Sequence, residues 1–81
     1  MITEALFTFP NTKTAIAGER ALLAAGLPVT VAPMPEALST ECGIVLRLPE
    51  SELEAGKTAL DAAGIEVSAV YRVQDGALSL L

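Results

Sequence analysis

The sequence predicts an α+β domain made of two strand-helix-strand units, and three observations carry that reading. First, residues 21–29, ALLAAGLPV, recur thirty-eight positions later as residues 59–67, ALDAAGIEV, each copy having the form of a helix end, a glycine stop and a strand start. Second, the same offset carries Leu6 onto Ile44 and Phe7 onto Val45, so the strand ahead of each helix also has a counterpart. Third, proline and glycine fall where these elements should end.

The elements follow in order. Residues 2–9 contain Thr, Phe and Ile and stop at Pro10, which fits a strand. Asn11 or Thr12 is suited to cap a helix that closes at Gly26. Residues 29–34 form a short β-branched strand ended by Pro33 and Pro35, and residues 43–48 form a third strand. Pro49 with Glu50, Glu52 and Glu54 opens a second helix, where negative charge suits the amino-terminal dipole, and Gly64 closes it. Residues 66–73 are the last strand of the pattern. The domain is expected to span 1–73. Residues 74–81, with Leu78, Leu80 and Leu81, form a tail that is either an extra strand or a frayed end.

Two strand-helix-strand units with right-handed crossovers give a ferredoxin-like βαββαβ sandwich, a four-stranded antiparallel sheet with two helices on one face. The alternative is a variant in which the tail adds a fifth strand. In this topology the first and third strands are central. Ile44, Leu46 and Leu48 are expected to face the helices, and Val45 and Arg47 the open side. The repeat puts Phe7 and Phe9 on that open side with Val45, flanked by Thr30, Ala32, Ser68, Val70 and Arg72. So apolar a face usually marks an interface, and the expectation is a homodimer through it. On the first helix Ala15, Ile16, Leu22 and Leu23 form the apolar stripe, with Glu19 near its middle. Glu19 either reaches past small alanines to water or an arginine, or is a partly buried carboxylate close to a site.

Composition narrows the chemistry. The chain has 81 residues with one cysteine, no histidine and no tryptophan, and five basic against ten acidic residues. That is room for one domain able to build a core without disulfide or metal staples. Zero histidines remove Ser-His-Asp and Cys-His catalysis and imidazole metal ligands, and one cysteine supplies neither an internal disulfide nor a thiolate metal site. No metal or cofactor is expected. Net negative charge with two Phe and one Tyr lacks the footprint of a nucleic-acid binder. The amino end has no basic start ahead of a long apolar run, and no stretch reaches the roughly 18 apolar residues of a spanning helix. With its lone thiol, the chain reads as a soluble, cytoplasmic protein without a membrane partner.

The one thiol, Cys42, precedes the third strand. Antiparallel pairing puts the start of that strand beside the end of the first, near residues 10–14 and the free N–H groups of the first helix. Thr12, Lys13 and Thr14 would there favour a thiolate, while Glu41 opposes it and Gly43 leaves room for an approaching group. The plainer account is a small buried hydrophobe. Without a histidine base, such a thiol can attack a disulfide, or take up sulfur or selenium as a persulfide and hand it on.

Glu19, Leu22-Leu23, the run from Ala25 through Gly26, Leu27 and Pro28 to Val29, then Pro33, Pro35 and above all the run Ser39-Thr40-Glu41-Cys42-Gly43-Ile44-Val45-Leu46-Arg47, resemble the bacterial selenium/sulfur carrier-like family of short proteins. The resemblance covers roughly positions 5 to 73, and Ser-x-x-Cys-Gly-hydrophobic-x-Leu-Arg is its most specific part. It implies that Cys42 carries sulfur or selenium between donor and acceptor proteins, and it matches at Cys42, Gly43, Arg47 and Glu19. The chain departs from the family at Glu36, where members often carry a basic residue after the proline, so anion binding by that loop is not carried over. The leading expectation is therefore a carrier, not an enzyme in its own right, with Cys42 as acceptor, Thr12, Lys13 and Thr14 setting the thiolate, and Glu19 and Arg47 as supports or a docking pair. The alternative is a non-catalytic binding or regulatory module that dimerises through its sheet and in which Cys42 only packs. Two other activities of the same fold are set aside: the loop before the first helix lacks the Cys-x-x-Cys of a copper chaperone and the arginine of an acylphosphatase.

Overall fold

The computed structural model describes residues 3–35 and 43–81. Its elements run β1 (Thr3–Thr8), α1 (Thr12–Ala24), β2 (Thr30–Pro33), β3 (Ile44–Pro49), a 3-10 turn (Glu50–Glu52), α2 (Leu53–Ala62), β4 (Ala69–Gln74) and β5 (Ala77–Leu80). The fold is α+β, with two helices on a single antiparallel sheet of order β2-β3-β1-β4-β5. The sheet has five strands where the leading expectation had four, because the tail pairs with β4. Asp75 (φ 52°) and Gly76 (φ 81°) both lie in the left-handed region and form the two-residue turn that returns the chain as β5.

Both helices end as the repeat predicts, and for the same physical reason. Gly26 adopts φ 76° and donates its N–H to the Leu23 carbonyl, while Leu27 donates to Leu22. Gly64 (φ 71°) donates to Asp61 and Ile65 donates to Leu60 in the same way. These paired bonds satisfy carbonyls that a helix end otherwise leaves open, and they direct Leu27 and Ile65 back onto the core. At the start of α1, Asn11 is the cap: its Oδ1 accepts from Thr14 N (2.8 Å) and Thr14 Oγ1 (2.9 Å).

The core lies between sheet and helices. It joins Ala5, Phe7, Phe9, Leu46 and Leu48 with Ala15, Leu22 and Leu60. Leu46 and Leu48 face the helices as expected, and Ile44 packs against them. Phe7 and Phe9 do not share the open face. Phe7 is the direct partner of Leu46 and Val70, and Ala5 of Leu48 and Arg72, so all of these lie on the helix side. The repeat misplaces them because the strands and the helices keep different offsets between the two copies: the inward strand residue lies nine positions ahead of the crossing glycine in the first unit and eight in the second. Phe9 approaches Gly18 where Leu48 approaches Gly56, and a one-residue difference reverses the facing of every strand residue. Thr30, Ala32, Val45 and Arg47 do share the open side, with Leu6, Tyr71, Val73, Leu78 and Leu80. Ser68 precedes β4 and donates its N–H to the Thr8 carbonyl.

The stripe of α1 is also corrected. Its buried residues are Ala15, Gly18 and Leu22, whereas Ile16 is 43% and Leu23 55% exposed. Gly18 has no side chain, so the helix settles against Phe9 and Leu46, and the contact line turns away from Ile16 and Leu23. Glu19 flanks this line half-buried, rather than standing at its centre.

Candidate functional site

The segment between β2 and β3 is anchored by backbone pairing. Pro33 pairs with Ile44, and one step further Met34 donates its N–H to the Gly43 carbonyl at 3.1 Å. Residues 36–42, and with them Cys42 and the expectation that it approaches the first turn of α1, lie outside the described residues. The Phe7 to Leu46 register does place the start of β3 at the carboxyl end of β1. Gly43 is exposed, and a methyl group built on it would meet nothing within 4 Å.

The other expected site residues fall in three places. Thr12, Lys13 and Thr14 occupy the first turn of α1, where the N–H and hydroxyl of Thr14 are taken by Asn11. Lys13 and Thr14 line a depression of about 400 Å³ that they share with Asn11, Ala17, Gly64, Ile65 and Glu66. Lys13 thus shares a hollow with an acidic residue, at the end of α1 that meets the close of α2. Glu19 lies on the flank of α1. Arg47 is on the open face of the sheet, in the middle of β3.

Arg47 has a partner that no local pattern in the sequence predicts. Its Nη2 donates to Glu4 Oε1 of β1, an ion pair whose side chains are 38% and 25% exposed. Glu4 and Arg47 are far apart in sequence, so only the pairing register of β1 and β3 could have found the contact. Arg47 Nε is buried, with no hydrogen-bond partner among the described residues. A second pair, Arg72 with Glu50, closes the rim of the helix side.

Arg47 also lines a concavity of about 200 Å³ on the open face. Leu6 and Val45, both buried, line it together with Ala32 and Val73. Pro33 and Pro35 reach it from the end of β2, and Gly76 and Leu78 from the β4–β5 turn, at the diagonally opposite corner of the sheet. The twist of the sheet brings both corners to one hollow. Arg47 is the one charged residue among those that line it, and Pro33 and Pro35 lead in sequence toward the segment that carries the cysteine. Among the described residues no three His, Cys, Asp or Glu side chains are grouped to hold a metal ion, and no helix is long and apolar enough to cross a membrane.

Residues 4–72 match the family model described as "Putative Se/S carrier protein-like". The chain belongs to this family. The match takes in both helices, strands β2 and β3, most of β1 and β4, and the segment bearing Cys42. No curated protein and no solved structure matches the chain.

Proposed function

We propose that this protein is a carrier that accepts sulfur or selenium on Cys42 and delivers it to an acceptor protein. The observation that carries the reading is the family match across residues 4–72, which spans the chain's one thiol. The Cys42 thiolate attacks the terminal sulfur of a donor persulfide. A new S–S bond forms on Cys42, the donor's own S–S bond breaks, and the donor thiolate leaves with the electron pair. Delivery is the same exchange in reverse, with an acceptor nucleophile taking the terminal atom and the Cys42 thiolate departing. Neither step has a net oxidant or reductant, and neither needs a histidine. Such a chain works as a cytoplasmic shuttle and depends on its partners for chemistry. We read the framework from β1 to β4 as ferredoxin-like, with β5 added at one edge, and take Gly43 as the position that leaves the neighbouring sulfur open to approach.

A second reading is favoured by the open face. Leu80, paired with Tyr71 on that side, is 69% exposed, which suits a module that dimerises through its sheet with Cys42 structural. Replacing Cys42 with Ser separates the two. Under the carrier reading, transfer from a persulfide donor stops while unfolding behaviour is kept. Under the module reading, self-association by sedimentation and partner binding survive the change, and the wild-type protein takes up no sulfur or selenium.

A further inference from the structure

The sheet ends in two unlike edges, β2 and β5. In an antiparallel ladder the residues of a strand alternate, one turning its N–H and C=O to the paired strand and the next turning them away. Met34 donates to Gly43 in the register that pairs Ala32 with Val45, so on β2 it is Val31 and Pro33 that turn outward. Proline has no N–H to offer there, and an edge proline is one of the ways in which sheets resist further pairing. On β5 the Leu81 N–H donates to the Val70 carbonyl, in register with Ser79 opposite Arg72, so Leu78 and Leu80 turn both of their backbone groups outward. This second edge is unguarded. Residues 77–81, ALSLL, hold no charge and no proline, and Leu80 is the most exposed large apolar side chain among the described residues. The strand is also held ready, by the Asp75-Gly76 turn at one end and the Leu81 bond at the other.

We infer that β5 pairs edge to edge with β5 of a second copy, antiparallel about a two-fold axis through Ser79, so that two five-stranded sheets join as one of ten strands. Open backbone N–H and C=O groups call for an extended strand rather than a helix or a small molecule. The chain's own β5 supplies that strand for three reasons. Leu78 and Leu80 lie equally far on either side of Ser79, so rotation about that residue sets Leu78 opposite the second copy's Leu80 and Leu80 opposite its Leu78, each pair exchanging two hydrogen bonds. The same rotation keeps the open faces on one side, where the four leucines abut, and the helices on the other. Copies of a chain of charge −5 repel one another, and the paired strands bring no charge into contact. Pairing of β5 with β2 would grow into an open filament and is opposed by Pro33, whereas β5 with β5 closes at two. The β2–β3 edge, from which the cysteine segment departs, stays clear, so the contact holds whether Cys42 carries sulfur or only packs.

A strand of four residues per copy makes a small interface, so a Kd of about 100 μM is expected, read by sedimentation equilibrium of the full chain from about 10 μM to about 1 mM. With rising concentration, amide exchange should slow at Leu78 and Leu80 by a larger factor than at Ser79 and Leu81, which are already bonded within the chain. A mixture of isotope-labelled and unlabelled chains should give a cross-peak between the two Ser79 Hα atoms, which the axis sets opposite each other. Leu80→Pro gives β5 the same guard that Pro33 gives β2 and should weaken the dimer at least about fivefold, because the two-fold removes the lost bond twice. Ser79→Glu and Ser79→Lys, which leave the backbone donors in place, should each dissociate alone and associate again when mixed one to one. Four results would overturn the pairing: a monomer at about 1 mM; a dimer that perturbs Leu6, Val45 and Tyr71 of the open face while the Leu78 and Leu80 amides stay unprotected; an undiminished dimer of Leu80→Pro; or no recovery in the Ser79 mixture.

Discussion

Gly56 stands where α2 crosses the sheet, and Gly56→Ala tests the packing that positions β3. A methyl group added there would lie 2.5 Å from Leu48 Cδ1, 3.4 Å from Phe7 Cζ and 3.7 Å from Leu22 Cδ2. Carbon atoms rest at about 3.5–4.0 Å, so Leu48 must retreat by about 1 Å. Leu48 is fully buried, and Phe7 and Leu22 beside it are equally enclosed. Overpacking of this kind costs about 1–3 kcal/mol, against a gain of about 1 kcal/mol from replacing glycine within a helix. A net loss of about 1 kcal/mol is expected. Gly18→Ala is the internal control: it occupies the matching position in α1, with nearest contacts of 3.1 Å to Phe9 and 3.3 Å to Leu46, which a few tenths of an ångström relieve. Its helix-propensity gain is the same, and the small shift of the fully enclosed Phe9 and Leu46 costs about as much, so its net change is near zero. Urea unfolding and thermal melts of both variants should therefore place Gly56→Ala below Gly18→Ala, by roughly 4–8 °C in Tm for a domain of this size. In a Leu48→Val background, which removes the clashing methyl, the penalty should fall by at least about 0.5 kcal/mol. Gly56→Ala as stable as Gly18→Ala, or a penalty unchanged by Leu48→Val, would refute a tight crossing of α2 over Leu48.

Three further expectations follow from single contacts. Asn11→Ala removes the cap that accepts both Thr14 donors and should lower stability by about 1 kcal/mol in denaturant unfolding, with Asn11→Asp retaining most of it. Gly76→Ala places a side chain at φ 81° in the β4–β5 turn and should cost about 1 kcal/mol; the loss should be read first in faster amide exchange at Leu78 and Leu80, and unchanged exchange there would count against the turn as the determinant of β5. The Glu4–Arg47 pair is partly exposed, so a double-mutant cycle should give a coupling of at most about 1 kcal/mol that shrinks in high salt.

The repeat made most of the fold legible. Gly26 and Gly64 close the helices with matching bonds, and Asn11, one of the two expected caps, holds the start of α1. What the repeat could not carry was facing, because helices and strands keep different offsets between the two copies. Gly18 and Gly56, themselves related by the repeat, would have signalled the close helix-sheet crossings and corrected the positions of Phe7 and Phe9. Asp75-Gly76 is a strong hairpin signal and would have decided the tail in favour of a fifth strand. The candidate site was less legible. Cys42, Gly43 and Arg47 stand out in the sequence, but the ion pair of Arg47 with Glu4 and the hollow shared by Pro35 and Leu78 arise from register and twist, which join residues remote in sequence. Lys13 and Thr14, read as neighbours of the thiol from the topology alone, line a hollow with Glu66, a contact set by where α2 ends.

The carrier reading turns on the state of one sulfur atom. The most direct measurement is intact-protein mass spectrometry after incubation with a persulfide donor, with and without selenium, on the wild-type chain and on Cys42→Ser. A carrier should show an increment of one sulfur or selenium atom on Cys42 that a reducing thiol removes and an acceptor collects, no increment on Cys42→Ser, and an apparent thiol pKa below the roughly 8.5 of free cysteine. An unmodified Cys42, in a folded protein whose thiol titrates at or above that value, would contradict the carrier reading.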